Sequence, residues 1–350
     1  MKKFAVFLPQ FYETKENNEW WGKGFTEWTH VCEAKKLYKN HMQPKLPLEG
    51  KYNMLDKKTM EHQAELMHKY KVDGMVYYHY YFKGKMLLEK PAENLLKWKD
   101  IDEPFFFCWA NHSWYKAVDG VKEMLMEQTY GTKKDWEKHF EYLLPFFKDE
   151  RYEKKDNKPL FMLFRTEFEE KDEMMKFFDK KCKENGFDGI YVIETYRTFE
   201  EVRDNKYQGF LRVPDTYVNA YNKKIKYTPK RLYDKINTFL ALKGRTKSVR
   251  KYDGNKLIDL AIKKIKYDPK LYHGMFFEWD NTPRHKQRGY IIKPIDKAHF
   301  MKYMDAIKDD EYVFINAWNE WAEGMMLEPT KDLKYRYLEW IKEWSEKVSK

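Results

Sequence analysis

Two glutamates close the segment of this sequence best equipped for chemistry, Asn319-Glu320-Trp321-Ala322-Glu323-Gly324. Cleaving a glycosidic bond takes two carboxyl groups in different protonation states, one protonating the departing oxygen while the other serves as base or nucleophile. Glu320 and Glu323, three residues apart, can both point into one cleft. Their mutual repulsion, with partial burial by Trp318 and Trp321, would raise the pKa of one and suit it to a general acid. A Glu-x-x-Glu pair is also an ordinary feature of an exposed helical turn. This pair differs in its flanks, which are two tryptophans, an asparagine and Gly324 where a solvated turn would carry lysines.

Such a motif needs elements that bring it to a cleft. Eight short apolar runs, 4–8, 74–80, 105–110, 160–164, 189–194, 209–213, 274–279 and 313–317, read as strands buried on both faces. Helix-like stretches lie between them at 57–70, 87–98, 134–147, 171–185, 257–265 and 298–308, and a last one follows at 333–348. In the first, Met60, Ala64 and Met67 recur on one face. In the last, Leu333, Tyr337, Trp340, Ile341 and Trp344 form a core stripe. Strand–helix alternation predicts a parallel α/β fold, and the number eight predicts a closed (β/α)₈ TIM barrel over residues 1–350, one catalytic domain. Two connections are long: 13–52 after the first strand, and a basic stretch, 219–255, after the sixth.

A barrel of this kind carries its active site where the strands end. Polar and aromatic residues collect there: Gln10, Trp21, Glu27 and Trp28 after the first strand, and Tyr78, His79 and Tyr80 on the second. Trp109, Asn111 and Trp114 follow on the third, Arg165 on the fourth, Glu194 on the fifth and Asp215 after the sixth. The seventh ends in Trp279, Asp280 and Arg284, and the eighth in Asn319, Glu320, Trp321 and Glu323. Any one of these could serve the core alone. So many charged groups at strand ends are costly for stability unless they serve a site, because buried charges need partners.

Aromatic residues make up 18% of the chain, which serves either core packing or stacking on sugar faces. The net charge of +11 reads first as a solvated surface, not as nucleic-acid binding. Its local concentration, Lys223 to Lys251, reads first as a solvated insertion and second as an electropositive rim for an acidic glycan. Cys32, Cys108 and Cys182 are odd in number and lack metal-type spacing, so neither a disulfide framework nor a zinc site is expected. The opening MKKFAVFLPQF reads as a first strand and not a signal peptide. No apolar stretch approaches the roughly 20 residues of a membrane span. The expectation is a cytoplasmic protein, unless a leader has been removed.

Six segments carry a family resemblance: 7–11 (FLPQF), 20–28 (WWGKGFTEW), 77–80 (YYHY), 108–111 (CWAN), 279–284 (WDNTPR) and 316–324 (NAWNEWAEG). In this order, over nearly the whole chain, they resemble the WbsX-like family of bacterial surface-polysaccharide loci. That family is similar to glycoside hydrolase family 99, the endo-α-1,2-mannosidases and mannanases. The resemblance implies a (β/α)₈ barrel, retention of configuration, no metal or other cofactor, and an oligosaccharide or polysaccharide substrate. It further implies that Glu320 acts as base on the sugar's own 2-hydroxyl, giving a 1,2-anhydro intermediate. Glu323 would protonate the leaving oxygen and later activate water. One loop departs from the pattern. After Trp109-Ala110-Asn111, WbsX-like chains commonly carry an acidic residue and then Asn-Trp, whereas here the run is His112-Ser113-Trp114-Tyr115-Lys116. The mannose part of the likeness therefore does not transfer, and His112 stands equally as a subsite donor or a loop histidine.

No glycine-rich phosphate cradle follows any strand. Asp100-Ile101-Asp102 matches the Asp-x-Asp of nucleotide-sugar transferases but precedes the third strand, at the opposite end of a barrel from the clusters above. Three readings remain: a retaining glycoside hydrolase, a glycosyltransferase of surface-polysaccharide assembly, and a carbohydrate-binding protein without turnover.

Overall fold

The computed structural model describes residues 1–118, 121–199, 206–226, 228–245, 249–265 and 268–349. Lys247 of the basic stretch lies outside these residues. Eight strands form the barrel: β1 (Lys2–Phe7), β2 (Gly74–Phe82), β3 (Phe105–Trp109), β4 (Lys158–Leu163), β5 (Tyr191–Tyr196), β6 (Gln208–Leu211), β7 (Leu271–Phe276) and β8 (Tyr312–Asn316). All eight neighbouring pairs are parallel, and β1 pairs with both β2 and β8, so the sheet closes on itself. This is the (β/α)₈ barrel that the eight apolar runs predict.

The interior is packed with aromatic rings. Phe4 of β1 meets Phe106 of β3 at 5.3 Å between centroids, and Phe314 of β8 meets Phe106 at 5.9 Å and Phe210 of β6 at 4.8 Å. Gly74 makes this possible, since a Cβ there would stand 2.3 Å from the Phe4 ring. Side chains alternate along each strand, so Tyr78 and Tyr80 of β2 share the inward phase of Gly74, while Tyr77 and His79 point out to the helices.

The outer helices begin where the sequence supplies caps. Asp56 accepts from Lys58 N ahead of helix Lys57–Lys69, Thr132 and Asp135 form a capping box on Lys133–Phe147, and Asp296 accepts from His299 N at 2.9 Å ahead of Lys297–Ala306. The helix expected at 87–98 begins later, at Lys90, because Lys85–Leu87 turns back to pair antiparallel with the end of β2. The connection after β1 is not simply a loop. It holds helices Lys15–Trp21 and Glu27–Glu33, and the second delivers Glu27 to the barrel mouth. After β6 come helices Asp215–Lys224, Pro229–Leu242 and Gly254–Lys264, with strand Arg250–Tyr252 joining Tyr290–Ile292 and Trp279–Asp280 in a small sheet over the mouth. The hairpin Trp114–Val118 with Val121–Met126 rises from the end of β3.

Candidate active site

Asn319 fixes the acidic motif to the barrel. Its Oδ1 accepts from Leu8 N at 2.7 Å and its Nδ2 donates to Leu8 O at 3.0 Å, so the end of β1 holds the turn that follows β8. Residues Asn319–Glu320 then pair with Met325–Met326, and the chain reverses between them through a 3₁₀ turn, Trp321–Glu323. Gly324 ends that turn at φ +61°, and a Cβ on it would stand 2.9 Å or less from the Asp280 backbone oxygen and nitrogen. Only glycine fits both the left-handed backbone and the close approach. The tight reversal turns Glu320 and Glu323 to one side.

They meet Arg284 there. Its Nη1 donates to Glu323 Oε1 at 2.6 Å, its Nη2 forms a short ion pair with Glu27, and Glu320 Oε2 lies 3.6 Å from Nη2. One guanidinium thus serves three carboxylates. Burial works against the charge on Arg284, but Glu27, Glu323 and Glu320 together hold its pKa above the usual arginine range. Burial raises the pKa of Glu320, and the charge of Glu323 beside it raises it further. Burial raises Glu323 as well, with Arg284 pulling the other way. Glu320 has the weaker claim on Arg284, and among the described residues its Oε2 has no hydrogen-bond partner. Burial and the neighbouring carboxylates thus push both glutamates toward protonation, and Arg284, which grips Glu323 directly, opposes this.

Other residues surround this cluster. Tyr78 and Tyr80 are raised by burial and by the Glu320 charge, which places both phenols beside it. Trp114 stands edge-on to Tyr80 at 5.1 Å and to Trp20 at 5.8 Å, forming one wall. Trp279 stacks on Tyr290 at 5.7 Å and 15°, and Tyr290 feels the Asp215 and Glu323 charges. On the remaining side Arg212 pairs with Asp215 at 2.5 Å, lies 4.3 Å over the Phe164 ring, and leaves its Nη1 buried without a hydrogen-bond partner among the described residues. Arg165 stands over the same ring at 5.7 Å, and His112 tilts against it at 5.1 Å. Burial, then the Arg165 and Arg212 charges, push the His112 imidazole down to about 4, so it is neutral at ordinary pH. This half of the mouth is cationic. Among the described residues no group of His, Cys, Asp or Glu is arranged to hold a metal ion.

The structure separates the residues predicted from sequence into three groups. Glu320, Glu323, Arg284, Tyr78 and Tyr80 gather at the barrel mouth, with Trp114 beside Tyr80 and Trp279 on Tyr290. Several others position them. Buried Glu27 fixes Arg284, and its backbone N donates to Gln10 O at 3.0 Å. Asn111 clasps the Arg165 backbone through both amide atoms, and Asp280 collects His41, Gln43 and Thr282. Those hydrogen bonds hold the Asp280 pKa low although burial pushes it up. Trp28 and Trp321 pack on each other in the core, each indole donating inward, to Tyr52 O and Glu328 Oε2. Trp21 sits at the rim beneath Lys116, stacked on Phe25.

The third group is a correction. His79, Trp109 and Glu194 are not in the cleft. They fall on one register row, His79–Trp109–Leu163–Glu194, which faces outward. There His79 pairs with His139 at 2.8 Å, Trp109 packs on His139 and donates to Tyr81 O, and Glu194 takes Lys171 at 2.5 Å. Sequence reasoning also passed over Arg212 and Tyr290. Arg212 shares the inward phase of Phe210, two positions earlier. Tyr290 carries no local sign, since it reaches the mouth through the small sheet it forms with Trp279–Asp280.

A closed parallel barrel with an acidic cluster after its last strand defines the architecture, and comparison with known proteins gives the family. The chain belongs to the family described as "Glycosyltransferase WbsX", whose profile matches residues 3–341. It is 29% identical to the uncharacterized protein WxcX of Xanthomonas campestris pv. campestris strain B100 over 353 residues, 96% of this chain and 48% of that protein. WxcX of a second strain matches in the same way. The chain thus spans about half the length of the curated relatives it matches. Among solved structures it shares its fold with the GH99 endo-alpha-mannosidase of Bacteroides thetaiotaomicron, at a TM-score of 0.58 and 12% identity over 99% of this chain and 97% of that one. A glycoside hydrolase-like protein aligns at a TM-score of 0.56 and 10% identity, covering 98% and 93% of the two chains.

Proposed function

We propose that residues 1–350 act as one catalytic domain, a retaining glycoside hydrolase that cleaves an α-linked, surface-type polysaccharide internally by participation of the substrate's 2-hydroxyl. One observation carries this reading: two buried glutamates share a single arginine at the barrel mouth, and one of them, Glu320, has an oxygen with no hydrogen-bond donor among the described residues. A sugar 2-hydroxyl directed at Glu320 Oε2 supplies that donor and favours ionised Glu320, leaving Glu323 as the member of the pair that holds a proton. Glu320 then takes the hydroxyl proton as O2 attacks C1, and Glu323 protonates the departing glycosidic oxygen. The product of this step is a 1,2-anhydro sugar. In the second step Glu323 deprotonates the incoming water and Glu320 returns its proton to O2. Two inversions at C1 give net retention. Tyr78, Tyr80, Trp114 and Trp279 offer ring faces and hydroxyls to the glycan. Arg165 and Arg212 suit an acidic sugar on the far side of the cleft.

The family description favours a second reading, transfer from an activated sugar in polysaccharide assembly. The two separate on Glu323→Gln. Hydrolysis through this pair predicts loss of turnover by about 10³-fold or more with oligosaccharide binding retained. The measurement is a screen of defined α-linked oligosaccharides, with product anomers followed by NMR. Full activity in Glu323→Gln, or activity that needs an added nucleotide sugar, overturns the hydrolase reading. Retained binding without turnover in the unaltered protein would leave a carbohydrate-binding role.

A further inference from the structure

Helix Pro229–Leu242 presents its apolar side chains to solvent. Leu232, Tyr233, Ile236 and Phe239 are 61%, 66%, 49% and 55% exposed. Their spacing places them on one face. The opposite face turns inward, where Ala241 is buried and Asp234, Asn237 and Thr238 line a cavity with Tyr38 and Arg250, which Tyr233 borders from the edge of the stripe. Ordinary surface helices are built the other way round.

Cations frame this stripe. Between Lys223 and Lys251 the sequence holds eleven Lys and Arg residues and a single acid, Asp234, against a net charge of +11 for the whole chain. Lys224, Lys230, Lys235, Lys243 and Arg245 are all exposed on or beside the helix.

We propose that this helix is a docking surface for an anionic lipid bilayer, lying in the headgroup plane with Leu232, Tyr233, Ile236 and Phe239 inserted. An apolar stripe bordered by lysines is the composition that binds such interfaces, the apolar face sinking on the order of 5–10 Å and the cations meeting lipid phosphates. The other occupants fit less well. A second copy of the chain would bring one dense positive charge against another. An acidic polysaccharide would satisfy the cations and leave four large apolar side chains in water. The helix abuts the turn Lys286–Arg288, just past Arg284, so the bilayer lies beside the cleft mouth. A glycan still attached to a membrane lipid is thereby brought within reach.

The test is co-sedimentation of the whole protein with vesicles of phosphatidylcholine alone, or with about one third phosphatidylglycerol. Binding at about 0.1 M salt should be at least about tenfold tighter to the anionic vesicles and should collapse near 1 M salt. L232S/I236S/F239S, with its melting temperature unchanged because these side chains are exposed, should lose binding about tenfold or more. K230E/K235E should weaken binding to anionic vesicles and leave the apolar stripe in place. Absence of binding to anionic vesicles, or equal binding by the triple variant, overturns the proposal. So does concentration-dependent dimerisation that the triple variant abolishes.

Discussion

Asn319 and Leu8 lie 311 residues apart and exchange two hydrogen bonds, the asparagine amide answering both polar groups of the leucine backbone at 2.7 and 3.0 Å. Both residues are buried, so neither bond can be replaced by water. Asn319→Asp keeps the shape and replaces the donor with a carboxylate facing a carbonyl oxygen. Leaving buried groups unsatisfied costs about 1–3 kcal/mol each, more when one is charged. We expect a loss of about 2–4 kcal/mol in urea denaturation. A fall in kcat should accompany it, because the same bonds aim Glu320.

Arg284 sets the acidity of the pair it serves. Its charge lowers the proton affinity of both Glu320 and Glu323. Arg284→Gln removes that pull, so the ionised member of the pair forms only at higher pH. The acid limb of the pH dependence of kcat/KM should move up by about one unit or more. An unmoved limb with lower activity would mean that Arg284 acts on the substrate instead.

Glu328 provides a test of stability that needs no substrate. It is buried, accepts hydrogen bonds from Tyr52, Gln63 and Trp321, and has a pKa raised by burial to about 8. The folded state therefore holds this proton more tightly than the unfolded chain. Its stabilising contribution is complete below about pH 4.5 and is lost as pH rises towards 8. Wild-type stability should lose up to about 1.4 kcal/mol per pH unit in that window from this group. Glu328→Gln does not titrate, so its deficit relative to wild type, read from melting temperatures, should shrink steadily between those limits.

The outward row makes a contrasting prediction. Trp109 packs on His139, Tyr130 and Phe161, away from the cleft. Trp109→Leu should lower stability by about 2–4 kcal/mol through the cavity it leaves. KM should stay within about twofold of wild type, whereas truncating Tyr80 on the inward phase should raise it several-fold.

How far the sequence could be read follows from these rows. The eight strands were legible because each is buried on both faces and so reads as an unbroken apolar run. Even so, β5 begins at Tyr191, two residues past its expected start. An unbroken run also hides which way each side chain points. Tyr78-His79-Tyr80 reads as one aromatic cluster, yet parity sends the histidine to the helices and both tyrosines to the mouth. Counting in twos from Gly74, or from the Phe4 and Phe106 pair that must share the interior, would have separated them. Glu320, Glu323 and Arg284 were legible because they lie just past strand ends, in turns too short to lead elsewhere. The helices at Lys15–Trp21 and Pro229–Leu242 were not: the first is short and mostly polar, and the second turns its apolar stripe to solvent, so neither shows a core-facing pattern.

The clasp between Asn319 and Leu8, and that between Glu27 and Arg284 across 257 residues, give the site a place in the order of synthesis. A ribosome that has reached residue 300 has made Tyr78, Tyr80 and Arg284, but no ring and neither of the paired glutamates. Until the eighth strand emerges, Glu27 has its arginine and nothing to share it with, and the open edges of β1 and β7 stand unpaired. Ring closure waits on residues 312–316, so a polypeptide that stops before them carries most of the aromatic core and cannot seal it.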